Sequence, residues 1–449
     1  MAKLEVNIED FNGGLAPAYW ESDYPRYGNK NMAGKARAVD LVDPSYLREG
    51  LGRTMLTDGD ASVKLLILDE PTAENETYAV EKGGRAIYKI SGDTLSKEDD
   101  LESGAEATAI AYYKGDIWFT YDHSGDARLA ALTNLNSPET GLAKGVPHRM
   151  VTGGLDILVI CNGSNFAKFD GSTLVTDALE LPDNHVLVDL QFTRQNVMGV
   201  TNTPAVTDGA RSSIFLWDTE STSWTEYPFR ERINSLFTAN GGIFVHYNDL
   251  GRSRLGMMDG QYIKPLAAFD GDSPSWHQVA VRKGFITWIA GGDILCWGAP
   301  ESWMEAMMFP VLRADSGHSY NSVAAPFGYL ITNSDDGSDY LTEKADGYTT
   351  QGYWKSILFS TAGVDKNGVL SEIIVRFNKL PDSKSFTVKL VNAQDTELYS
   401  KEVSETGTTK FEDRFSIVTD TARIEIHFDD NSSDTVEISS IILKGNTRT

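Results

Sequence analysis

Carboxylates are the most abundant groups here that could do chemistry: 64 of the 449 residues are Asp or Glu, and the formal net charge is −24. The densest runs are Asp335-Asp336-Gly337-Ser338-Asp339 and Asp429-Asp430-Asn431-Ser432-Ser433-Asp434. A calcium loop needs oxygen ligands at alternating positions and a closing acidic ligand. Neither run completes that pattern, so solvated turns are expected. The seven histidines, His123, His148, His185, His246, His277, His318 and His427, stand singly, none at metal spacing from another. A lone strand histidine is usually a hydrogen-bonded structural residue. No Gly-x-Ser-x-Gly elbow, phosphate-loop lysine, Gly-x-Gly-x-x-Gly or His-Glu-x-x-His occurs. The sequence therefore assigns no catalytic, cofactor-binding or metal-binding residues and predicts a protein that is not an enzyme.

Charge and cysteine content narrow the class further. An acidic surface repels phosphate backbones, which argues against duplex recognition by a basic face. Cys161 and Cys296 lie in apolar stretches far apart and are expected to be buried free thiols. No apolar run approaches the roughly 20 residues of a membrane helix. The opening Met1-Ala2-Lys3-Leu4-Glu5-Val6 has no signal-peptide core, so cytoplasmic synthesis is expected.

The elements that carry these groups repeat. Thr152-Gly153-Gly154 leads into Leu155-Asp156-Ile157-Leu158-Val159-Ile160, then Asn162-Gly163-Ser164, then Phe166 to Gly171. Asn240-Gly241-Gly242 and Lys114-Gly115 open comparable units. The turn positions Gly115, Gly154, Asn196, Gly242, Gly284 and Gly328 are spaced by 39, 42, 46, 42 and 44 residues. A second strand recurs near Ile87, Leu129, Phe166, Ile214, Leu255, Ile294 and Tyr340. An all-strand repeat of about 40–45 residues predicts β-propeller blades, about seven of them. Unrelated hairpins in sandwiches would share the turn signals, and no Trp-Asp tag or Asp-box repeats. Arg211, Arg230, Arg232, Arg252 and Arg254 could serve a sialidase-like site, and two opposed carboxylates a glycosidase, but chain order does not show convergence.

The predicted organisation is an irregular N-terminal arm over 1–58, a propeller over 59–347 and an antiparallel β-sandwich over 348–449. Beyond Tyr353 the pattern alternates cleanly, as in Phe386/Val388/Leu390 and Ile424/Ile426/Phe428. Separable domains, with a junction between about Asp346 and Gly352, are expected. The arm is punctuated by Gly and Pro and carries Phe11, Tyr19, Trp20, Tyr24 and Tyr27. Such aromatics need a surface to cover them. Their own propeller and a neighbouring subunit both fit, and on the second reading the five are assembly anchors.

Three segments at the start carry a family resemblance: Asp10-Phe11-Asn12-Gly13-Gly14-Leu15, Tyr24 to Met32, and Ser45 to Gly52. Two at the end do too: Gly352-Tyr353-Trp354-Lys355-Ser356 and Ile438 to Gly445. Together they resemble the propeller-bearing virion proteins of tailed bacteriophages, of the tail nozzle or packaged-DNA-stabilisation type and related tail components. The resemblance implies a structural role in the virion tail or head-tail connector. It implies a homo-oligomeric ring with other tail proteins as partners, walling or closing the DNA conduit, and a protein made in the host cytoplasm. An acidic wall suits that role, since cationic surfaces hold DNA. A receptor- or host-glycan-binding tail module is the alternative that the terminal sandwich keeps open. A glycan-active propeller enzyme is the second.

Overall fold

A computed structural model describes the chain apart from residues 1–2, 9–10, 12–32, 38, 41–46, 50, 57–61, 73–75, 154–155, 183, 194–195, 203–211, 299–305, 315–316, 337–339, 349–351, 357, 362–367, 383, 429–434 and 448–449. The regular structure of the described residues is almost entirely strand. Seven four-stranded antiparallel sheets form the blades of a β-propeller. They cover residues 65–100, 106–142, 150–180, 186–229, 232–269 and 279–313, with 319–348 supplying three strands of the seventh. All seven of the expected second strands fall in the third strand of a blade.

Local chemistry sets the hairpins. In Lys114-Gly115, Asn240-Gly241 and Lys283-Gly284 both residues have positive φ, at 51° and 80°, 48° and 77°, 48° and 81°. Two-residue turns with this backbone match the twist of the strands they join. In the Gly241-Gly242 pair, the first glycine takes the left-handed conformation. A Cβ on the second would meet the Phe244 ring at 2.9 Å. Burial then falls from the middle of each blade outward. Phe285–Ala290 is buried at every position, whereas the outermost strand of blade 1, Thr94–Asp100, is mostly exposed. Aromatic side chains fill the wedges between blades, as Phe166 does against Trp217 with centroids 5.4 Å apart.

One device recurs that the sequence pattern did not announce. The innermost strands of blades 2, 4, 5 and 7 slip register at Ala107/Ala109, Leu187/Asp189, Ile233/Ser235 and Tyr320/Ser322. A bulge re-aims side chains. Here it turns Asp189, Ser235 and Ser322 into buried positions, where two of them reach the next blade. Asp189 Oδ2 accepts from the Leu236 amide at 2.7 Å, and Ser322 Oγ donates to the Leu65 carbonyl at 2.7 Å.

The ring is closed by residues from the other end of the chain. Leu51–Met55 pairs antiparallel with Tyr340–Tyr348 and is the outermost strand of blade 7. The seam between blades 7 and 1 is held by Asn333, which is fully buried. Its Oδ1 accepts from Leu65 N at 3.1 Å, and its Nδ2 donates to the Val63 carbonyl at 3.1 Å.

The sandwich also draws on the N-terminal residues. Lys3–Ile8 lies on the edge of a sheet with Ile438–Thr447, Gly368–Phe377 and Lys410–Thr419. Ala33–Arg37 extends the facing sheet beside Tyr353–Ser356. Val39–Asp40 pairs with Arg48–Glu49. The expected irregular arm over 1–58 is thus corrected wherever it is described: it is a set of short strands. Apart from the local Val39–Asp40 and Arg48–Glu49 pair, their partners lie some 300 to 440 positions away, so no local pattern could report them. The expected separation of propeller and sandwich meets a shared core. One hydrophobic cluster runs from Phe285, Phe309 and Leu330 of blades 6 and 7 into Trp354, Phe386 and Ile426 of the sandwich.

Replacing Asn333 with Ala leaves the Leu65 amide and Val63 carbonyl without partners. We expect a loss of about 1–3 kcal/mol, read as a lower urea midpoint with unchanged far-UV circular dichroism. An unchanged midpoint would show that the seam is held elsewhere.

Candidate functional site

A group of polar side chains from several blades lies at one mouth of the propeller's central channel. It starts with backbone geometry. Lys64 precedes the first strand of blade 1, and the Lys82 amide donates to its carbonyl at 2.7 Å. A parallel bridge from Lys82 to Ala107 also ties this turn to blade 2. The two lysines therefore stand side by side at the inner rim. Arg149 holds the matching position before the first strand of blade 3.

The fourth contributor crosses the axis. The connection from blade 5 to blade 6 contains a short 3-10 turn, Trp276–Gln278, fastened by the Ser275 amide donating to Gln278 Oε1 at 3.0 Å. Asn234 of blade 5 donates to the Ser273 carbonyl at 3.2 Å. Trp276 packs on the hydrophobic clusters of blades 1 to 3, on the far side of the ring. Only a segment lying over the channel can touch both sides.

Arg149 stacks on the Trp276 ring, with its guanidinium carbon 4.4 Å from the centroid. Its Nε is 3.7 Å from Asp189 Oδ1. Lys82 Nζ is 3.1 Å from His277 Nε2. Burial pushes the imidazole of His277 down to about 3, and Lys82, Lys64 and Arg149 lower it further. It is neutral at pH 7 and accepts from the lysine. Lys82 is itself held below the usual lysine range by the surrounding wall and then by Lys64. On the other side of Arg149, burial raises Asp189 to about 7, against Arg149 and the amides of Leu236 and Leu190. Asp69 is raised to about 7 by the protein around it, against the Ala325 amide and Arg149. Its side chain is open to solvent, and channel water moderates such a shift.

A second cluster, on the sandwich, is closed. Glu425 is buried and accepts from Arg423 Nε at 2.9 Å, with Lys355 Nζ at 3.0 Å and His427 Nε2 at 2.9 Å. Burial alone would raise its carboxyl. The hydrogen bonds from His427, Lys355 and Arg423 outweigh that and bring it to about 2. Every charge there has its partner, so the cluster is structural. Cys161 and Cys296 are buried free thiols in blades 3 and 6. Burial pushes the Cys161 thiol up, with Asp189 adding, which leaves it unreactive.

The residues expected to act divide unevenly. Phe11 is fully buried in its own chain, edge-on to Trp354 at 5.5 Å. This corrects its expected role on a neighbouring subunit: the aromatic ring fills the sandwich core. Tyr19, Trp20, Tyr24 and Tyr27 lie outside the described residues. Arg254 pairs with Asp249 inside blade 5 at 3.2 Å, and Arg211 lies outside the described residues. The run 429–434 lies wholly outside them, and the run 335–339 partly. Among the described residues no three His, Cys, Asp or Glu side chains could hold a metal ion, and no helix is long and apolar enough to cross a membrane. The periodic glycine turns lie at the opposite end of the first strands from the channel-mouth residues, so their spacing does not point to this group. Aligning the residues just before each first strand would have placed Lys64 and Arg149 at equivalent positions.

No family model matches the chain, and no curated protein matches it. Among solved structures it is similar to a catalytically inactive virginiamycin B lyase from Staphylococcus aureus with quinupristin, at 12% identity and TM-score 0.49, covering 66% of this chain and 99% of that one. It is similar to YCF48 from Cyanidioschyzon merolae at 11% identity and TM-score 0.46, covering 65% and 98%. An exo-beta-1,3-galactanase from Phanerochaete chrysosporium with beta-1,3-galactotriose shares 9% identity at TM-score 0.34, covering 88% and 99%. At these identities no side chain's role carries over.

Two substitutions test these assignments. Phe11→Ala should cost about 3–5 kcal/mol, as emptying a full core site does. The sandwich signal should melt earlier; unchanged melting would return Phe11 to the surface. Glu425 has a folded value below its unfolded one, so its stabilisation is present above about pH 4.5 and is lost as pH falls toward about 2. Glu425→Gln should flatten the stability–pH curve in that window, by on the order of 1–3 kcal/mol. A curve as steep as the parent's would assign the slope to other groups.

Proposed function

We propose that the chain is a structural component of a tailed-phage tail or head-tail connector, acting in a ring that walls or closes the DNA conduit. One observation carries the reading. Described parts of the segments that resemble that family are the ones that close this fold. Gly52 lies in the strand that completes blade 7, Trp354 covers Phe11, and Ile438–Thr447 pairs with the first strand. A body whose strands Lys3–Ile8 and Ile438–Thr447 pair with each other suits a part that bears load. The net charge of −24 also suits a wall past which DNA slides.

In this reading the assembly contact belongs to the remaining aromatics, Tyr19, Trp20, Tyr24 and Tyr27. Head-to-tail contacts of one kind close into rings when the rotation permits. Replacing all four with Ala while keeping Phe11 should leave melting unchanged and convert rings to monomers, seen by negative-stain imaging and sedimentation. A parent chain that stays monomeric at high concentration, and is captured by a glycan surface, would overturn the structural reading for a receptor-binding one. Turnover of a glycan would overturn it for an enzyme.

A further inference from the structure

Among the described residues, two lysines at the channel mouth stand without a carboxylate partner in a protein that is acidic overall. Carboxylates outnumber Lys and Arg by 64 to 40. Even so, Lys64 and Lys82 have no carboxylate within ion-pair distance among the described residues, although their backbones are hydrogen-bonded to each other. The charges acting on His277 are Lys82, Lys64 and Arg149, all cationic. His277 Nδ1 and Arg149 Nε are buried without hydrogen-bond partners. Arg149 is partly neutralised by Asp189 on its far side, and Asp69 and Glu70 lie in its field. The uncompensated charge is therefore that of the two lysines. Adjacent ammonium groups repel, and among the described residues the neutral His277 ring that accepts from Lys82 brings no negative charge to them. An oxygen dianion would do so.

We propose that this mouth binds a phosphate or phosphate monoester group, held by Lys64 and Lys82, with Arg149 and His277 at its edge. The lysines meet a dianion as point charges, and Arg149, held flat on Trp276, offers guanidinium N–H groups of fixed direction. The Trp276 turn, reaching over from blade 5, forms the floor. Asp189, Asp69 and Glu70 keep the group from moving past Arg149. The site stands whether or not the chain is a tail component.

Calorimetry on the full chain with inorganic phosphate tests this, with adenosine monophosphate and a short single-stranded oligonucleotide as further arms. Phosphate should bind, and Lys82→Ala and Lys64→Ala should each weaken it at least tenfold. Lys401→Ala, on an exposed sandwich strand, should bind as the parent does. Phosphate should also move the His277 titration upward, because a bound dianion cancels the cationic field around it. The monophosphate competing with phosphate would identify a monoester site. No binding by the parent would overturn the proposal. So would binding weakened equally by Lys401→Ala, or binding confined to the oligonucleotide. Circular dichroism and melting of each variant separate lost binding from lost folding.

Discussion

A propeller is a ring of sheets, and a ring is only as secure as its last joint. Here the joint is the pairing of Leu51–Met55 with Tyr340–Tyr348, backed by Asn333 at the seam. Without it blade 7 would lack its outer strand, and an unpaired edge is a template for aggregation. Each interblade wedge presses on its neighbours around the ring, so closure is what lets all seven hold their packing together. The same N-terminal segment then continues into the sandwich. Closure and the union of the two bodies are thus one constraint.

That constraint shapes the interior. A closed ring of strands leaves a channel whose walls are the innermost strand of every blade. Bulges on four of those strands bring small and polar side chains inward, where they tie one blade to the next. The blade 5–6 connection lies over one mouth and carries Trp276 and His277 to the opposite wall. Charges from distant stretches of chain meet there because radial symmetry points all first strands at one axis. No single blade could assemble such a group.

The repeat was legible because first and second strands form local hairpins with glycine turns at a steady period. Cys161 and Cys296 were legible as buried because their surroundings are apolar on both sides. The alternating strands of the sandwich were visible for the same local reason, and Phe386, Val388 and Leu390 are all in the core. What stayed hidden depended on long-range pairing. Lys3–Ile8 is a short strand whose partner is at the other terminus. Phe11 looked like an aromatic seeking a partner, and nothing nearby names Trp354 as the partner it has. Lys64, Lys82, Arg149 and Trp276 share no motif. Their proximity is a product of closure, which no linear spacing encodes.

The pairing of Lys3–Ile8 with Ile438–Thr447 has a consequence for how the protein is made. Lys3–Ile8 leaves the ribosome long before its partner strand Ile438–Thr447. The strand that locks the ring likewise emerges well before the blade it locks. The ring can close once Tyr340–Tyr348 has emerged, whereas the sandwich sheet waits for Ile438–Thr447. A product cut short at its C-terminal end lacks the partner of its own beginning.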